Sequence, residues 1–353
     1  MILSSISLVL FAAQARVDLL DGSNAFGKIS SVDINAVVLV DSDDNESTYN
    51  NDEVLEVIPA LSALMRQAEA AAGNLDFMNA ANGFAEAAAK AEQPWMQAYA
   101  ELRNAEVLIS WAASESSHYS EAIDMLNSWV ANNSDSFWLP RAQMAMASAM
   151  AHTGDVDGAT SLMSSLSDMA FEKNLARHIE LQANVIRCQA FLLGDQAQVA
   201  QSRLNSLNDK IGAMVRDNET PAALRTKARE LHTTVQILSG QAIQSTDGIQ
   251  AAQSYWQSLA DNSSTSPVVR SAAWLGLAEA AIESGKLRAA QLQLAKIVAT
   301  MPASPSVTPQ ALYHLASVSA QLNDAKSSRS ASNRLNFTYP NSSWAIKATS
   351  EGL

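Results

Sequence analysis

The sequence predicts an all-α protein, an α-solenoid of stacked helix pairs, preceded by a small β module. Three observations predict it. From Ala60 to the end, apolar residues recur at helical spacing in a chain of 353 residues with only 13 glycines and 9 prolines, a composition that favours helix. An alanine followed by two more apolar residues, at steps of four and then three, returns again and again. Before Ala60 the texture is different, with short alternating runs broken by turn residues.

The clearest unit is Ser271 to Pro302. Trp274, Leu277, Ala278 and Ala281 share one face of a first helix, which Gly285 ends. Ala290, Leu294 and Ile297 form the inner stripe of a second helix, with Pro302 expected to close it because proline cannot donate to the next turn. Neither helix can bury its apolar face alone.

This unit resembles the tetratricopeptide repeat, a helix-turn-helix of 34 residues with Trp-x2-Leu-Gly-x2-Tyr, then Ala-x3-Phe, then Pro. The sequence matches at Trp274, Leu277, Ala290 and Pro302, carries a related apolar residue at Leu294, and departs at Ala278 and Ala281. The resemblance covers roughly residues 60 to 350 and is most specific over 94–171 and 266–345. It implies a right-handed superhelix of six or seven helix pairs, and the connectors at Asn133 to Trp138 and Tyr339 to Ala345 resemble those of tetratricopeptide proteins of the bacterial envelope.

In chain order, Met1 to Ala15 reads as a signal peptide, an apolar run ending in the A-x-A pattern Ala13-Gln14-Ala15, so the protein is expected to be exported to the periplasm or outside the cell. Residues 16–59 then hold four or five short strands around Val17 to Leu19, Phe26 to Val32, Ala36 to Val40 and Val54 to Ile58. Such a meander or SH3-like module is too small to be stable unless it docks on the helices. Gly22 to Lys28 imitates a phosphate loop, but Ile29 stands where Ser or Thr is required and the chain continues as strand rather than opening a helix.

Helical texture follows to the end. The inner triplet appears as Ala80, Phe84, Ala87; Ala122, Leu126, Trp129; Ala159, Met163, Leu166; and Ala200, Leu204, Leu207. Gln241 to Thr246 reads as a loose polar segment, Asp247 as the cap of the next helix, and Asp261 to Ser266 as a linker. Pro309 to Leu322 repeats the first helix of the clearest unit, and Ser328 and Ser332 take inner positions in a polar terminal helix suited to a cap.

The net charge is −13, and basic residues are scattered, so no footprint for nucleic acid is present. Cys188, the single cysteine, lies in a helical run and reads as a small buried hydrophobe. The five histidines show no metal spacing, and no nucleophile motif occurs. No enzyme, no cofactor and no metal is expected, and no membrane span once the leader is removed. The tryptophans read as core anchors, with Trp138 and Trp344, at connectors, the two to watch for exposure.

Stacked pairs make a concave groove lined by first helices, and such grooves hold extended peptides or partner helices. The expected function is a non-enzymatic protein-protein interaction scaffold of the cell envelope, binding a protein or peptide partner. Arg103, Glu106, Gln143, Arg177, Glu180 and Glu279 are the groove candidates, as polar members of first helices. Two alternatives stand beside it: an envelope spacer that docks through the β module, and a binder of a small peptide or glycan.

Overall fold

The computed structural model describes residues 14–301 and 307–353. Most of the leader, 1–13, and Pro302 lie outside the described residues. Ala15, the last residue of the predicted cleavage pattern, is the first of a strand and faces Gly27 across a sheet.

Five antiparallel strands form that sheet: β1 Ala15–Leu19, β2 Asn24–Val32, β3 Ala36–Val40, β4 Glu46–Asn50 and β5 Val54–Ile58, in the order β4-β3-β2-β1-β5. Strand alternation sends Ala15, Val17, Ile29, Val37 and Leu39 inward. Aspartates start the turns because each carboxylate accepts from a main-chain N–H two residues on: Asp21 from Ser23 at 2.8 Å, Asp33 from Asn35 at 2.7 Å and Asp41 from Asp43 at 2.8 Å. Gly27 lies in β2 as a strand residue, where a Cβ would come 2.5 Å from the Val40 carbonyl oxygen. That contact accounts for the glycine without a phosphate. β4 is a strand that the apolar pattern does not announce, since Glu46 to Asn50 is polar on both faces and sits at the sheet edge.

The sheet does dock on helices. Val17, Val37, Val54 and Val57 share one apolar cluster with Tyr99, Trp138, Leu139 and Leu175. Main-chain N–H of Ile34 donates to the Asp135 carbonyl at 2.7 Å, and Asn174 Nδ2 donates to Asp52 at 2.8 Å. Helical connectors therefore fasten one end of the module, where the β2–β3 and β4–β5 turns meet and Asn51 Nδ2 donates to the Ile34 carbonyl at 2.6 Å.

Fifteen helices follow among the described residues: α1 Ala63–Gly73, α2 Phe77–Ala89, α3 Pro94–Ala112, α4 Ser117–Asn132, α5 Leu139–His152, α6 Val156–Glu172, α7 Arg177–Leu193, α8 Ala197–Arg216, α9 Ala222–Asp247, α10 Ile249–Asp261, α11 Pro267–Glu283, α12 Leu287–Thr300, α13 Thr308–Gln321, α14 Ala325–Thr338 and α15 Ser343–Ser350. They make seven consecutive pairs and a terminal short helix, the helix-pair architecture the sequence predicts. Starts are set by capping side chains, such as Ser62, Asp76, Asp155, Ser266 and Asp324, or by proline in the first turn at Pro94, Pro140, Pro267 and Pro309. Within most pairs the turn holds one left-handed residue: Leu75, Gly154, Asp195, Gly248, Gly285 and Asn323. Glycine takes that conformation at no cost, whereas Leu75 takes it against its preference.

The chain divides into two compact units. One runs to Asp195 and includes Ser206–His232; the other comprises Gln196–Asn205 and Thr233–Leu353. In the first, each helix from α1 to α7 packs on the next, and the first helices α3, α5 and α7 touch in succession. The inner triplets are buried as their spacing requires: Ala122, Leu126 and Trp129, then Ala159, Met163 and Leu166. Trp129 also donates Nε1–H to the Ala98 carbonyl at 2.7 Å, tying α4 to α3.

In the second unit, Ala252, Trp256 and Leu259 of α10 and Ala290, Leu294 and Ile297 of α12 play the same part. Trp256 fits because Gly240 and Gly276 leave it room; a Cβ on either would lie 2.0 or 2.4 Å from the indole.

Four local readings are corrected. Gln241 to Thr246 is not loose but continues α9, a helix of 26 residues, because Ala242 is fully buried and Thr246 Oγ1 bonds to Gln201. Gly248, rather than Asp247, stands at the α10 N-cap. In α14 the buried residues are Ala331, Ser332 and Leu335; Ser328 is only half-buried, while Ser332 Oγ donates to the Leu353 carbonyl at 2.8 Å. Trp138 is buried rather than exposed, packed against Tyr99 at 5.0 Å between ring centroids. Cys188 is buried, as expected of a small hydrophobe.

Candidate functional site

On the first helices of the first unit, charge is arranged as a ladder. Arg103 of α3 reaches Glu69 of α1, with Nε and Nη2 donating to its two oxygens at 2.8 and 2.7 Å. Arg103 Nη1 also donates to Glu106, one turn further along α3. Glu106 in turn receives Arg141 of α5, Nε at 2.5 Å and Nη2 at 2.7 Å. The partners lie 34 and 35 residues apart, one repeat, so stacking alone brings them together. Two bidentate guanidinium-carboxylate forks in series fix the register of α1, α3 and α5. Burial works against the charge on Arg141, and the Glu106 carboxylate outweighs it, so its pKa lies above the ordinary value.

The ladder stops at its third rung. One turn beyond Arg141, where Glu106 follows Arg103, stands Met144, and one repeat on from Met144 stands His178 of α7. His178 is 5% exposed, and its Nδ1 is sealed from solvent with no hydrogen-bond partner. Burial, with the Lys227 charge nearby, pushes its pKa down to about 4, so the ring is neutral at pH 7.

A cavity of about 570 Å3 opens at this rung. Its walls are the α5 start with Arg141 and Met144, the α7 face with His178, Ile179 and Gln182, the α9 start with Ala223, Thr226, Lys227 and Glu230, and β5 from Val54 to Val57. Phe137, Trp138 and Leu175 add apolar surface. β5 is the outermost strand, paired on one side only, to β1. The lining mixes apolar surface with convergent polar groups such as Arg141, His178, Gln182 and Lys227, a make-up that suits a ligand site. Lys227 Nζ and Glu230 are paired at 3.0 Å.

The six groove candidates fall in different places. Arg103 and Glu106 are brought together, as the middle of the ladder. Glu180 pairs with Lys210 at 2.8 Å. Gln143 is half-buried with its Oε1 unpartnered, and Arg177 is exposed in the first turn of α7. Glu279 belongs to the second unit, where it accepts from Gln310 Nε2 at 2.9 Å; burial, and the like charge of Glu283, raise its pKa. None of the six except by way of Arg141 reaches the cavity. Arg141, Met144, His178, Gln182 and Lys227 were not among the candidates, although the one-repeat spacing of Glu69, Arg103, Glu106 and Arg141 was a signal that could have found the first three.

Among the described residues no group of three histidine, cysteine or carboxylate side chains is placed to hold a metal, and no helix is long and apolar enough to cross a membrane.

No family model matches the sequence, and no curated protein matches it. Similarity to solved structures is structural and low in identity. The apo quorum sensor NprR from B. thuringiensis is 12% identical, with 78% of this chain and 75% of that one covered at a TM-score of 0.43. A Rap protein complexed with Competence and Sporulation Factor is 10% identical, covering 80% and 76% at 0.46. BtubC from P. vanneervenii is 10% identical, covering 83% and 94% at 0.39. The repeat architecture is read from the helix pairs themselves.

Proposed function

We propose that the protein is a non-catalytic binding scaffold that holds an extended peptide segment of a protein partner in the cavity walled by α5, α7, α9 and β5. The observation that carries this reading is the cavity itself: about 570 Å3 of mostly apolar surface on first helices, closed along one side by an outermost strand. A volume of that order suits a few residues of chain, and a one-sided strand offers main-chain groups along which an extended segment can lie. A spacer docking outward through the β module has less support, because the apolar face of the sheet is already covered by Tyr99, Trp138 and Leu139.

We place this scaffold in the periplasm or outside the cell, on the leader-like composition of residues 1–15; fusing those residues to a reporter active only after export tests that placement. The binding reading is tested on the full chain by panning a displayed library of random octapeptides, then repeating the selection with Ile179→Trp, which fills the cavity from α7. Recovery of peptides by the natural sequence and their loss with Ile179→Trp is expected. Equal recovery by both, or none by either, contradicts it.

A further inference from the structure

The unfinished rung says what the cavity holds. Two rungs are closed by side-chain carboxylates, Glu69 on Arg103 and Glu106 on Arg141, each about one repeat from its partner. At the third, the carboxylate position is Met144 and the basic position is His178, and both line the cavity. Among the described residues, no side chain closes this rung as Glu69 and Glu106 close the other two.

Three basic side chains, Arg141, His178 and Lys227, line the cavity there. Arg141 spends Nε and Nη2 on Glu106, and its Nη1 has no protein partner among the described residues. His178 has Nδ1 sealed and unpartnered, so Nε2 is the ring nitrogen left to the cavity. An orphaned buried N–H costs more than an orphaned lone pair, so the neutral ring carries its proton on Nε2 and donates. Lys227, close enough to depress the histidine pKa, stands on the α9 wall. Carboxylates elsewhere on the lining do not fill the gap: Glu230 is paired with Lys227, and Glu56 is exposed on β5.

We infer that the cavity selects a peptide bearing an aspartate or glutamate, whose side-chain carboxylate accepts from Arg141 Nη1 and His178 Nε2 and so closes the third rung. The inference rests on the peptide-binding reading above and narrows it to one chemistry. The ligand carboxylate takes the place that Glu69 and Glu106 take below it, and its neighbours lie on Trp138, Leu175 and Ile179. The acidic protein as a whole repels such a ligand at long range, so selection comes from the local donors, which salt screens little.

The test uses the intact protein, immobilised, and a synthetic pool of octapeptides, acetylated and amidated so that side chains are the only carboxylates. One position is an equal mixture of Glu and Gln, the others are random, and retained peptides are counted by mass spectrometry. Enrichment of Glu over Gln by about tenfold or more is expected, the scale of a hydrogen-bonded charge. Met144→Glu, which supplies the missing carboxylate from within, is expected to abolish that preference. Equal retention of Glu and Gln peptides overturns the inference and leaves the peptide-binding reading standing. Retention of neither overturns both. A preference that Met144→Glu leaves intact overturns the assignment to this rung. So does a Gln pool with free C-termini that binds as well as the Glu pool, because the carboxylate would then be the chain end.

Discussion

The two units solve the same packing problem with different polar residues. In the first, the first helices are locked by guanidinium-carboxylate forks from Glu69 through Arg103 and Glu106 to Arg141. In the second, no guanidinium takes part in the corresponding contact: Glu279, its pKa raised by burial, accepts from the Gln310 amide and lies 3.8 Å from His314. The second unit fills its interior instead with Trp256, set between Gly240 and Gly276. Each interior leaves a donor over, but Trp256 Nε1–H is sealed inside the second unit, whereas the ladder of the first ends at a cavity lined by Arg141 and His178.

The largest effect that can break this contrast is at Trp138, where the β module meets α3 and α5. Trp138→Ala should cost about 4 kcal/mol, read as a drop in the urea midpoint. Loss of hydrogen-exchange protection in the sheet and in α3 and α5 together should accompany it. Phe171, 88% exposed on α6, is the control, and Phe171→Ala should change stability by less than about 0.5 kcal/mol. If Trp138→Ala leaves the sheet protected, the module is held by something other than this cluster.

Acid acts next, and on both units. Burial holds His178 and His314 to pKa values of about 4, against 6.5 for the ordinary ring. Between those values the unfolded chain binds the protons that the folded rings refuse. Stability is therefore full above pH 6.5 and falls as the pH drops toward 4, by up to roughly 1.4 kcal/mol per pH unit for each ring. His178→Asn should flatten the loss for helices of the first unit only, and His314→Asn for those of the second, as hydrogen exchange at pH 7 and pH 5 can separate. An unchanged slope in either variant removes that histidine from the account.

A smaller effect sharpens the difference in polar chemistry. Glu106→Gln leaves Arg141 without its carboxylate and should cost about 2 kcal/mol, less than a fully buried pair because the site is partly open to water. Glu279→Gln keeps an acceptor for Gln310 and should cost no more than about 0.5 kcal/mol. Thermal unfolding of the two variants side by side decides whether one unit depends on charge and the other does not.

Much of the fold was legible because repeats restate the same packing. Ala290, Leu294 and Ile297 declare a second helix by spacing alone, and the structure buries all three completely. The failures have physical causes. β4, Glu46–Asn50, is an edge strand whose polar residues carry no alternation to read. The continuation of α9 through Gln241 to Thr246 is held by contacts such as Ala242 in the interior and Thr246 on Gln201, which composition does not announce. Trp138 follows a stretch of serine and asparagine that suggests a surface, yet the sheet covers it. The site was half legible. Arg103 and Glu106 could be chosen as polar first-helix residues, but their pairing needs the phase of the repeat. His178 in turn becomes notable only when Met144 is seen in the place of a glutamate.

The most direct test is the titration of His178 by NMR in the intact protein, with and without Met144→Glu. With the third rung empty, the ring should titrate near pH 4 in the natural sequence, and the carboxylate introduced at 144 should raise that value by at least one pH unit. A ring that titrates near 6.5 in both, or that ignores the new carboxylate, would contradict the ladder and the place where it ends.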